Sequence, residues 1–186
     1  MSDIKVLGIC GSLRKGSFNA MALRVAQGLA PAGMKIEIAD ISAFPLYNED
    51  VRAQGFPPAV QTFRDEIAGA DALLFATPEY NYSMSGVLKN AIDWASRPPN
   101  QPFDGKPVAI MGASGGVLGT ARAQYHLRQT CVFLNMFPVN KPEVMIPQAQ
   151  TRFDAEGRLT DETAKGLIKQ LLESLQAWTL RLKAKT

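Results

Sequence analysis

Short apolar runs alternate with segments of helical periodicity along the 186 residues of the chain. Ile4–Cys10 and residues 71–78 are almost continuously apolar, which is typical of strands buried on both faces of a parallel sheet. Residues 34–40 alternate between apolar and polar positions and predict an edge strand with one face in water. Residues 106–111 predict a fourth strand, and the proline-broken residues 137–140 predict a fifth at an edge.

Apolar residues spaced three and four apart predict a helix after each strand, and turn residues mark the helix ends. Pro31 and Gly33 end the first helix, and Pro57-Pro58 and Gly69 enclose the second. Ser83 or Ser85 caps the third helix, which Arg97-Pro98-Pro99 stops. The fourth helix runs from about Gly119 to Leu134, and Thr160-Asp161-Glu162 cap the last. Residues 41–55 form a long, unusually apolar loop, which we expect to lie over a neighbouring subunit or a ligand. Residues 148–159 are predicted to be irregular.

The order of these elements predicts the fold. Five strand–helix units without internal repeats or a linker indicate one domain over residues 1–186, an α/β fold with a doubly wound parallel sheet. The second strand has the pattern of an edge and the first and third have that of central strands, so the predicted order is 2-1-3-4-5, with helices on both faces. Ligands bind such sheets at the carboxyl ends of strands one and three, where the order reverses. The loops after these two strands therefore face each other, and residues 112–116 adjoin them.

Composition limits the classes of function. No apolar run approaches the ~20 residues of a membrane span, and the first residues lack a signal peptide, so we expect a cytoplasmic protein without a membrane partner. The net charge is +3 with scattered basic residues, so nucleic acid is not an expected partner. Cys10 and Cys131 form no C-x-x-C pair and are interpreted as small buried hydrophobes. A single histidine, His126, excludes a multi-histidine site, and no metal is predicted.

The loop after the first strand has the residues of a phosphate site. Gly11 and Gly16 have the spacing of a P-loop, but Ser17 replaces its lysine and Phe18 its metal-binding hydroxyl. The glycines also fail to match the G-x-G-x-x-G fingerprint of dinucleotide-binding folds. What remains is a cradle for a monophosphate, or alternatively an ordinary strand–helix turn rich in small residues.

Side chains in this loop fit the first alternative. Ser12, Ser17 and Asn19 offer short hydrogen-bonding groups, and Arg14 offers a planar charged fork. A helix that starts here would add unpaired N–H groups and the positive end of its dipole.

The loop after the third strand offers aromatic and amide groups. Tyr80, Asn81 and Tyr82, beside backbone groups, suit the faces and polar edge of a flat ring such as that of flavin mononucleotide (FMN). The alternative is a plain aromatic turn in which Glu79 is solvated or caps a helix. No nucleophile and base pair can be assembled with His126 alone, so we predict no catalytic side chain and expect the cofactor to supply the reactive atoms, at the flavin N5.

Four segments carry a resemblance to a known family. They are Gly11-Ser12-Leu13-Arg14-x-x-Ser17-x-Asn19, Pro78-Glu79-Tyr80-Asn81-Tyr82-Ser83, the following Gly86–Trp94 stretch and Tyr125-His126-Leu127-Arg128. Across nearly its whole length the chain resembles the NADPH-dependent FMN reductases, a flavodoxin-like family, and most of all its quinone and chromate reductase branch. The resemblance implies FMN as cofactor and NADPH or NADH as donor. It also implies small-molecule acceptors, namely quinones, azo compounds, metal oxyanions or free flavin.

The resemblance also implies residue roles and an assembly. The residues expected to bind FMN are Ser12, Arg14, Ser17, Phe18 and Asn19 around the phosphate, Pro78, Glu79, Tyr80, Asn81 and Tyr82 around the ring, and Ser114 and Gly115 near the ring or ribityl chain. Family members often have proline at the position of Ser85, so serine is expected to loosen the second loop slightly. The resemblance predicts a homodimer or homotetramer. We hypothesise that the third helix meets its symmetry mate, because it is more apolar than one buried stripe requires, at Val87, Leu88, Ile92 and Trp94.

Two other functions remain open at this point. One is a flavodoxin-like carrier that shuttles electrons between protein partners, although the sequence pI of about 8.9 argues against an acidic docking surface. The other is a non-enzymatic regulator that has kept the fold. The fold alone does not distinguish them from a reductase.

Overall fold

The central sheet has the predicted order, in a computed structural model that describes residues 3–184. The strands are β1 (Ile4–Cys10), β2 (Met34–Ile38), β3 (Ala72–Ala76), β4 (Glu79–Tyr80), β5 (Ser83–Met84), β6 (Pro107–Ala113), β7 (Phe137–Pro138) and β8 (Val144–Ile146). The helices are α1 (Phe18–Gly28), α2 (Glu49–Arg52), α3 (Pro58–Gly69), α4 (Gly86–Ala95), α5 (Ala121–Phe133) and α6 (Glu162–Lys183). The parallel strands lie in the order β2-β1-β3-β6-β7, which confirms the flavodoxin-like 2-1-3-4-5 prediction.

The edge beyond β6 differs from the prediction. Only Phe137 and Pro138 pair with the start of β6, and the unpredicted β8 pairs with its end, from Met111 to Ala113. Val139 still donates its N–H to the Val108 carbonyl at 2.8 Å, after which the chain leaves the sheet before β8 returns to it. The predicted fifth strand is thus present as a short edge piece, and β8 is a second piece that was not predicted.

Two apolar layers cover the sheet. Helices α1 and α6 pack on one face, where Leu23 and Leu171 are buried, and α3, α4 and α5 pack on the other, around Phe63, Leu88 and Leu127. The helix bounds agree with the sequence signals, since Pro58 opens α3, Ser85 is the N-cap of α4 and Asp161 is the N-cap of α6. In sheets covered in this way, ligands bind at the carboxyl ends of the strands.

The apolar loop between β2 and α3 packs on the protein's own core. Phe44 contacts Phe63 with ring centroids 5.4 Å apart, and Tyr47 contacts Trp94 at 5.0 Å. The Trp94 Nε1 donates to the Pro45 carbonyl at 2.8 Å. The aromatic side chains of this loop thus pack within the chain, and the expectation that the loop also lies over a ligand or a neighbouring subunit stays a prediction.

The same contacts correct the premise of the helix-pairing hypothesis. Leu88, Ile92 and Trp94 are each at most 2% exposed, because the sheet and the loop over α4 cover them. The apolar surface of these three residues is satisfied inside one chain, whereas Val87, the fourth residue of the hypothesis, is half-buried. The pairing of α4 with a second copy stays a prediction.

Candidate functional site

Three loops meet at the carboxyl ends of β1, β3 and β6 and enclose a cleft of about 690 Å³. This volume lies within the roughly 300–1,000 Å³ range of small-molecule sites. The cleft is lined by Ser12, Arg14, Ser17, Phe18, Asn19, Pro78, Glu79, Tyr80, Ala113, Ser114, Gly115, Gly116, Val117, Leu118, Gly119 and Arg122. The structure thus brings together all the predicted site residues except Asn81 and Tyr82, which lie at a turn beside the cleft.

The segment after β1 presents hydrogen-bond donors at the start of α1. Ser17 is the N-cap of this helix, and its buried Oγ accepts the N–H of Ala20 at 3.2 Å. Within residues 3–184 the backbone N–H groups of Phe18 and Asn19 have no acceptor. The Ser17 hydroxyl can still donate, because its oxygen is the acceptor for the helix. Free N–H groups at the positive end of a helix dipole favour an anion.

Gly11 lies where the loops after β1 and β3 come closest. A Cβ at this position would lie 3.1 Å from the Ser85 Oγ and 3.2 Å from the Pro78 Cδ, so a larger residue would push the loops apart. Ser85 donates to the Gly11 carbonyl at 2.6 Å and accepts the Leu88 N–H at 3.1 Å. The expectation that Ser85 loosens the second loop is wrong, because Ser85 ties that loop to the first.

Arg14 and Phe18 form one wall of the cleft. The guanidinium carbon of Arg14 lies 5.2 Å from the Phe18 ring centroid, and its Nη2 donates to the Gly16 carbonyl. Phe18 in turn stacks on Phe153, with ring centroids 5.5 Å apart. The Ser12 Oγ accepts the Arg14 N–H at 3.4 Å beside them. Arg14 is exposed, so its other N–H groups remain available to an anion in the cleft.

The side chain of Asn19 joins two elements of the fold at the cleft wall. Its Nδ2 donates to the Ala113 carbonyl at 2.9 Å, and its Oδ1 accepts the Ala113 N–H at 2.9 Å. The side chain is 3% exposed and joins the start of α1 to the end of β6. One Nδ2–H and the Oδ1 of Asn19 are thus used by the backbone, while its second Nδ2–H and its own backbone N–H have no acceptor within residues 3–184. The role of the Asn19 amide at a phosphate stays a prediction.

The loop after β3 is a hairpin of β4 and β5. Tyr80 pairs with Ser83, and the two turn residues Asn81 and Tyr82 have positive φ angles of 50° and 67°, as in a type I′ turn. Asparagine tolerates this conformation, whereas an aromatic residue rarely adopts it. Neither turn residue is among those that line the cleft, and their place around a ligand stays a prediction. Tyr80, 55% exposed, is the hairpin's aromatic residue in the cleft.

Glu79 connects this hairpin to α5. Its Oε2 accepts the N–H groups of Arg122 at 3.0 Å and Ala123 at 3.2 Å, and its Oε1 lies 3.3 Å from the Arg122 Nη1. The N-cap residue of α5, Thr120, makes no side-chain capping bond. Glu79 therefore caps α5 from across the cleft, as one of the sequence alternatives had it. Arg122 was not predicted, and the only signal for it is its position just after the third loop.

The third loop is held by its neighbours and presents apolar side chains. Ser114 donates through its Oγ to the Gly119 carbonyl, and the Gln148 N–H bonds to the Gly116 carbonyl at 3.1 Å. Val117 is 75% exposed and Leu118 is 49% exposed at the edge of the cleft. The N–H of Gly115 has no acceptor within the part of the chain that the structure describes. Ser114 and Gly115 of this loop were predicted to lie near the ligand, whereas its apolar edge, Val117 and Leu118, was not predicted.

The remaining titratable candidates lie outside the cleft. His126 is exposed and its Nδ1 lies 3.0 Å from the Ser83 Oγ. Burial raises the pKa of the Cys131 thiol to about 12, so Cys131 is an inert core residue, as predicted. Cys10 is half-buried, with its Sγ 3.9 Å from the Ser17 Oγ. Among residues 3–184 no group of three or more histidine, cysteine or acidic side chains could hold a metal ion, and no helix is long and apolar enough to cross a membrane.

Comparison with known proteins links this cleft to flavoenzymes. Residues 4–151 match the family model for NADPH-dependent FMN reductase. The chain is 71% identical over 181 residues to an NAD(P)H-dependent FMN reductase of Pseudomonas aeruginosa, covering 97% of this chain and 98% of that protein. It is 52% identical to an NADPH:quinone oxidoreductase of Arabidopsis thaliana, covering 98% and 95% of the two chains.

A solved structure of a flavoenzyme shows the same architecture. The NAD(P)H:(acceptor) oxidoreductase FerB from Paracoccus denitrificans superposes with a TM-score of 0.86 at 36% identity, over 96% of this chain and 98% of the other. The likeness covers almost the whole of both proteins.

Proposed function

This chain belongs to the NADPH-dependent FMN reductase family, and we propose that it binds FMN in the cleft and uses NAD(P)H to reduce quinones. The observation that carries the proposal is the set of unpaired donors at the start of α1, beside Arg14 and opposite an aromatic wall. One end of the cleft thus suits a dianionic phosphate and the other suits a flat ring.

The residues present fit FMN on three grounds. The cleft has the volume of a small-molecule site, about 690 Å³. Its anion end has free N–H groups on Phe18 and Asn19, and the Arg14 guanidinium lies on the same wall. Tyr80 and the apolar pair Val117 and Leu118 give the other end the hydrophobic walls that a ring needs.

The chain's own residues contribute binding and orientation. FMN, when bound, supplies the hydride-accepting and electron-donating chemistry of the reaction. The α1 N-terminus and Arg14 would hold the phosphate, and the hairpin and the third loop would hold the ring. No described side chain in the cleft pairs a nucleophile with a base, so positioning rather than proton transfer is the protein's part.

If the protein only binds and orients the flavin, changes at the hairpin residues Glu79 and Tyr82 should have mild effects on the rate of flavin reduction. Glu79→Gln and Tyr82→Phe should each retain FMN and slow flavin reduction by no more than about tenfold, well short of the 10²- to 10⁴-fold loss typical of a missing general acid or base. Both changes keep the shape of the side chain. Anaerobic stopped-flow with excess NADPH measures the step as bleaching of the flavin. A thousandfold slower bleach with FMN still bound would show that a catalytic side chain exists here.

Quinones are the acceptors that the site suits best. The edge formed by Val117, Leu118 and Tyr80 is apolar and open, which favours flat uncharged acceptors. The proposal also includes azo compounds, chromate and free flavin as acceptors. Electrons leave from the flavin ring, and the open cleft selects little among acceptors by their shape.

The test of this function is turnover without any protein partner. Purified protein loaded with FMN should oxidise NADPH when a soluble benzoquinone is added, at a rate proportional to enzyme concentration. A flavodoxin-like carrier would bind FMN but show no such turnover until a partner reductase was supplied. A protein that remains colourless after addition of FMN would be neither a flavin-dependent reductase nor a flavodoxin-like carrier.

We also propose a homodimer or homotetramer in the cytoplasm, where NAD(P)H is available. Support comes from the groove between α4 and α5, which Phe133 lines while 85% exposed, and from the next residue along the chain, Val132, which is 81% exposed. Adjacent exposed apolar side chains favour an interaction surface. Sedimentation should give an assembly at micromolar concentration, and Phe133→Ser should weaken it. A monomeric wild-type protein would refute this assembly.

A further inference from the structure

The carboxylate of Glu79 neutralises a positive centre at the edge of the cleft. Two backbone N–H groups of the α5 N-terminus and the Arg122 guanidinium all point to it. The Glu79 side chain is only 12% exposed, whereas that of Arg122 is 38% exposed. A helix N-terminus carries about half a positive elementary charge. The carboxylate therefore offsets most of this positive charge, at a position that lines the cleft.

Arg122 is fixed from its other side as well. Its guanidinium carbon lies 3.7 Å from the ring centroid of Tyr82, which is held in a backbone conformation that aromatic residues rarely adopt. Glu79, Arg122 and Tyr82 thus form one connected unit between the hairpin and α5. Because these contacts hold Arg122 in place, a change in the charge of Glu79 changes the electrostatic potential in the cleft.

We propose that Glu79 and Arg122 are positioning residues whose paired charges set the reduction potential of the flavin in this cleft. The proposal rests on the proposed function, because it requires FMN to occupy the site. At neutral pH, reduced FMN carries more negative charge than oxidised FMN. A cation beside the cleft favours the reduced form and an anion the oxidised form. The pair keeps the local charge near zero.

Removing the negative charge of Glu79 and removing the positive charge of Arg122 should therefore shift the reduction potential in opposite directions. Glu79→Gln leaves an amide oxygen to cap α5 but exposes the charge of Arg122, so it should tighten binding of reduced FMN relative to oxidised FMN. Arg122→Gln leaves Glu79 as the cap without its cation, so it should do the reverse. In each variant we expect the ratio of the affinities for reduced and oxidised FMN to change about tenfold. This corresponds to a shift of about 30 mV in the reduction potential of a two-electron couple.

Spectroelectrochemical titration of the FMN-loaded protein against a reference dye measures the potential directly. The double variant Glu79→Gln, Arg122→Gln restores the charge balance and should return close to the wild-type potential. The matched control is Glu37→Gln, which also removes a carboxylate from an ion pair, with Lys35, on the edge strand β2. It should leave the potential unchanged.

The outcomes separate this inference from the proposed function. Opposite shifts that cancel in the double variant support the charge pair. Unchanged potentials, or shifts of the same sign, in variants that still bind FMN would overturn the inference and leave the reductase function standing. A wild-type protein that binds no FMN would overturn both.

Discussion

Replacing Arg14 with alanine is expected to weaken FMN binding about 10- to 100-fold and to leave riboflavin binding almost unchanged. Arg14 is an exposed guanidinium on the wall that also carries the free N–H groups of α1. A charge-assisted hydrogen bond contributes about 1.5–3 kcal/mol, and each 1.4 kcal/mol is a factor of ten in affinity. Riboflavin lacks the phosphate and so cannot lose this contact.

Quenching of flavin fluorescence on titration with apoprotein measures both affinities. The matched control is Lys15→Ala, which removes the adjacent exposed cation of the same loop that does not line the cleft. It should change FMN affinity by less than about threefold, because an exposed charge at a distance is screened by salt. Equal losses for FMN and riboflavin in Arg14→Ala would mean that this loop does not hold the phosphate.

Replacing Asn19 with alanine is expected to destabilise the apoprotein by about 2–4 kcal/mol. Both amide atoms of this buried side chain bond to the backbone of Ala113, at 2.9 Å each. Alanine would leave a buried N–H and a buried carbonyl without partners, and each unsatisfied group costs about 1–3 kcal/mol. In a chain of this size the melting temperature should fall by about 5–15 °C.

Denaturant unfolding of the apoprotein gives the free energy without any effect of flavin. The control Asn48→Ala removes an exposed asparagine that caps the four-residue α2, and it should cost no more than about 1 kcal/mol. If Asn19→Ala left stability unchanged and weakened only FMN binding, Asn19 would be a phosphate ligand and not a structural tie.

The main features of the fold follow from the sequence because they depend on patterns within single elements. The continuous apolar runs of β1 and β3 require burial on both sides, and the alternation of β2 requires an edge. These two facts fix the order of the sheet, and the order places the ligand loops together. Ser17 was identifiable as part of the site because a serine between a strand and a helix is a typical N-cap.

The features that the sequence did not predict depend on contacts between distant residues. The hairpin strands β4 and β5 have two residues each, too few for alternation to be visible. The residue type of Asn19 indicates a hydrogen-bonding group but not its partner at Ala113. Nothing in the sequence links Glu79 to Arg122, which lies 43 residues further along the chain.

Composition of one helix was also misleading. Leu88 and Trp94 made α4 appear more apolar than a single buried stripe needs. The surplus is explained by the loop after β2, whose Pro45 and Tyr47 cover Trp94. Whether a long loop packs on its own domain or on a partner is decided by tertiary contacts, which hydrophobic pattern does not encode.

The most direct test of the central claim is a single-turnover experiment on the apoprotein reconstituted with one equivalent of FMN. Under anaerobic conditions, added NAD(P)H should bleach the absorbance of the bound flavin, and a subsequent equivalent of benzoquinone should restore it. The account predicts both steps without any other protein, and predicts that riboflavin binds more weakly than FMN. A protein that fails to bind FMN, or binds it and leaves it oxidised in excess NADPH and NADH, would contradict the claim that this cleft is the site of an NAD(P)H-dependent flavin reductase.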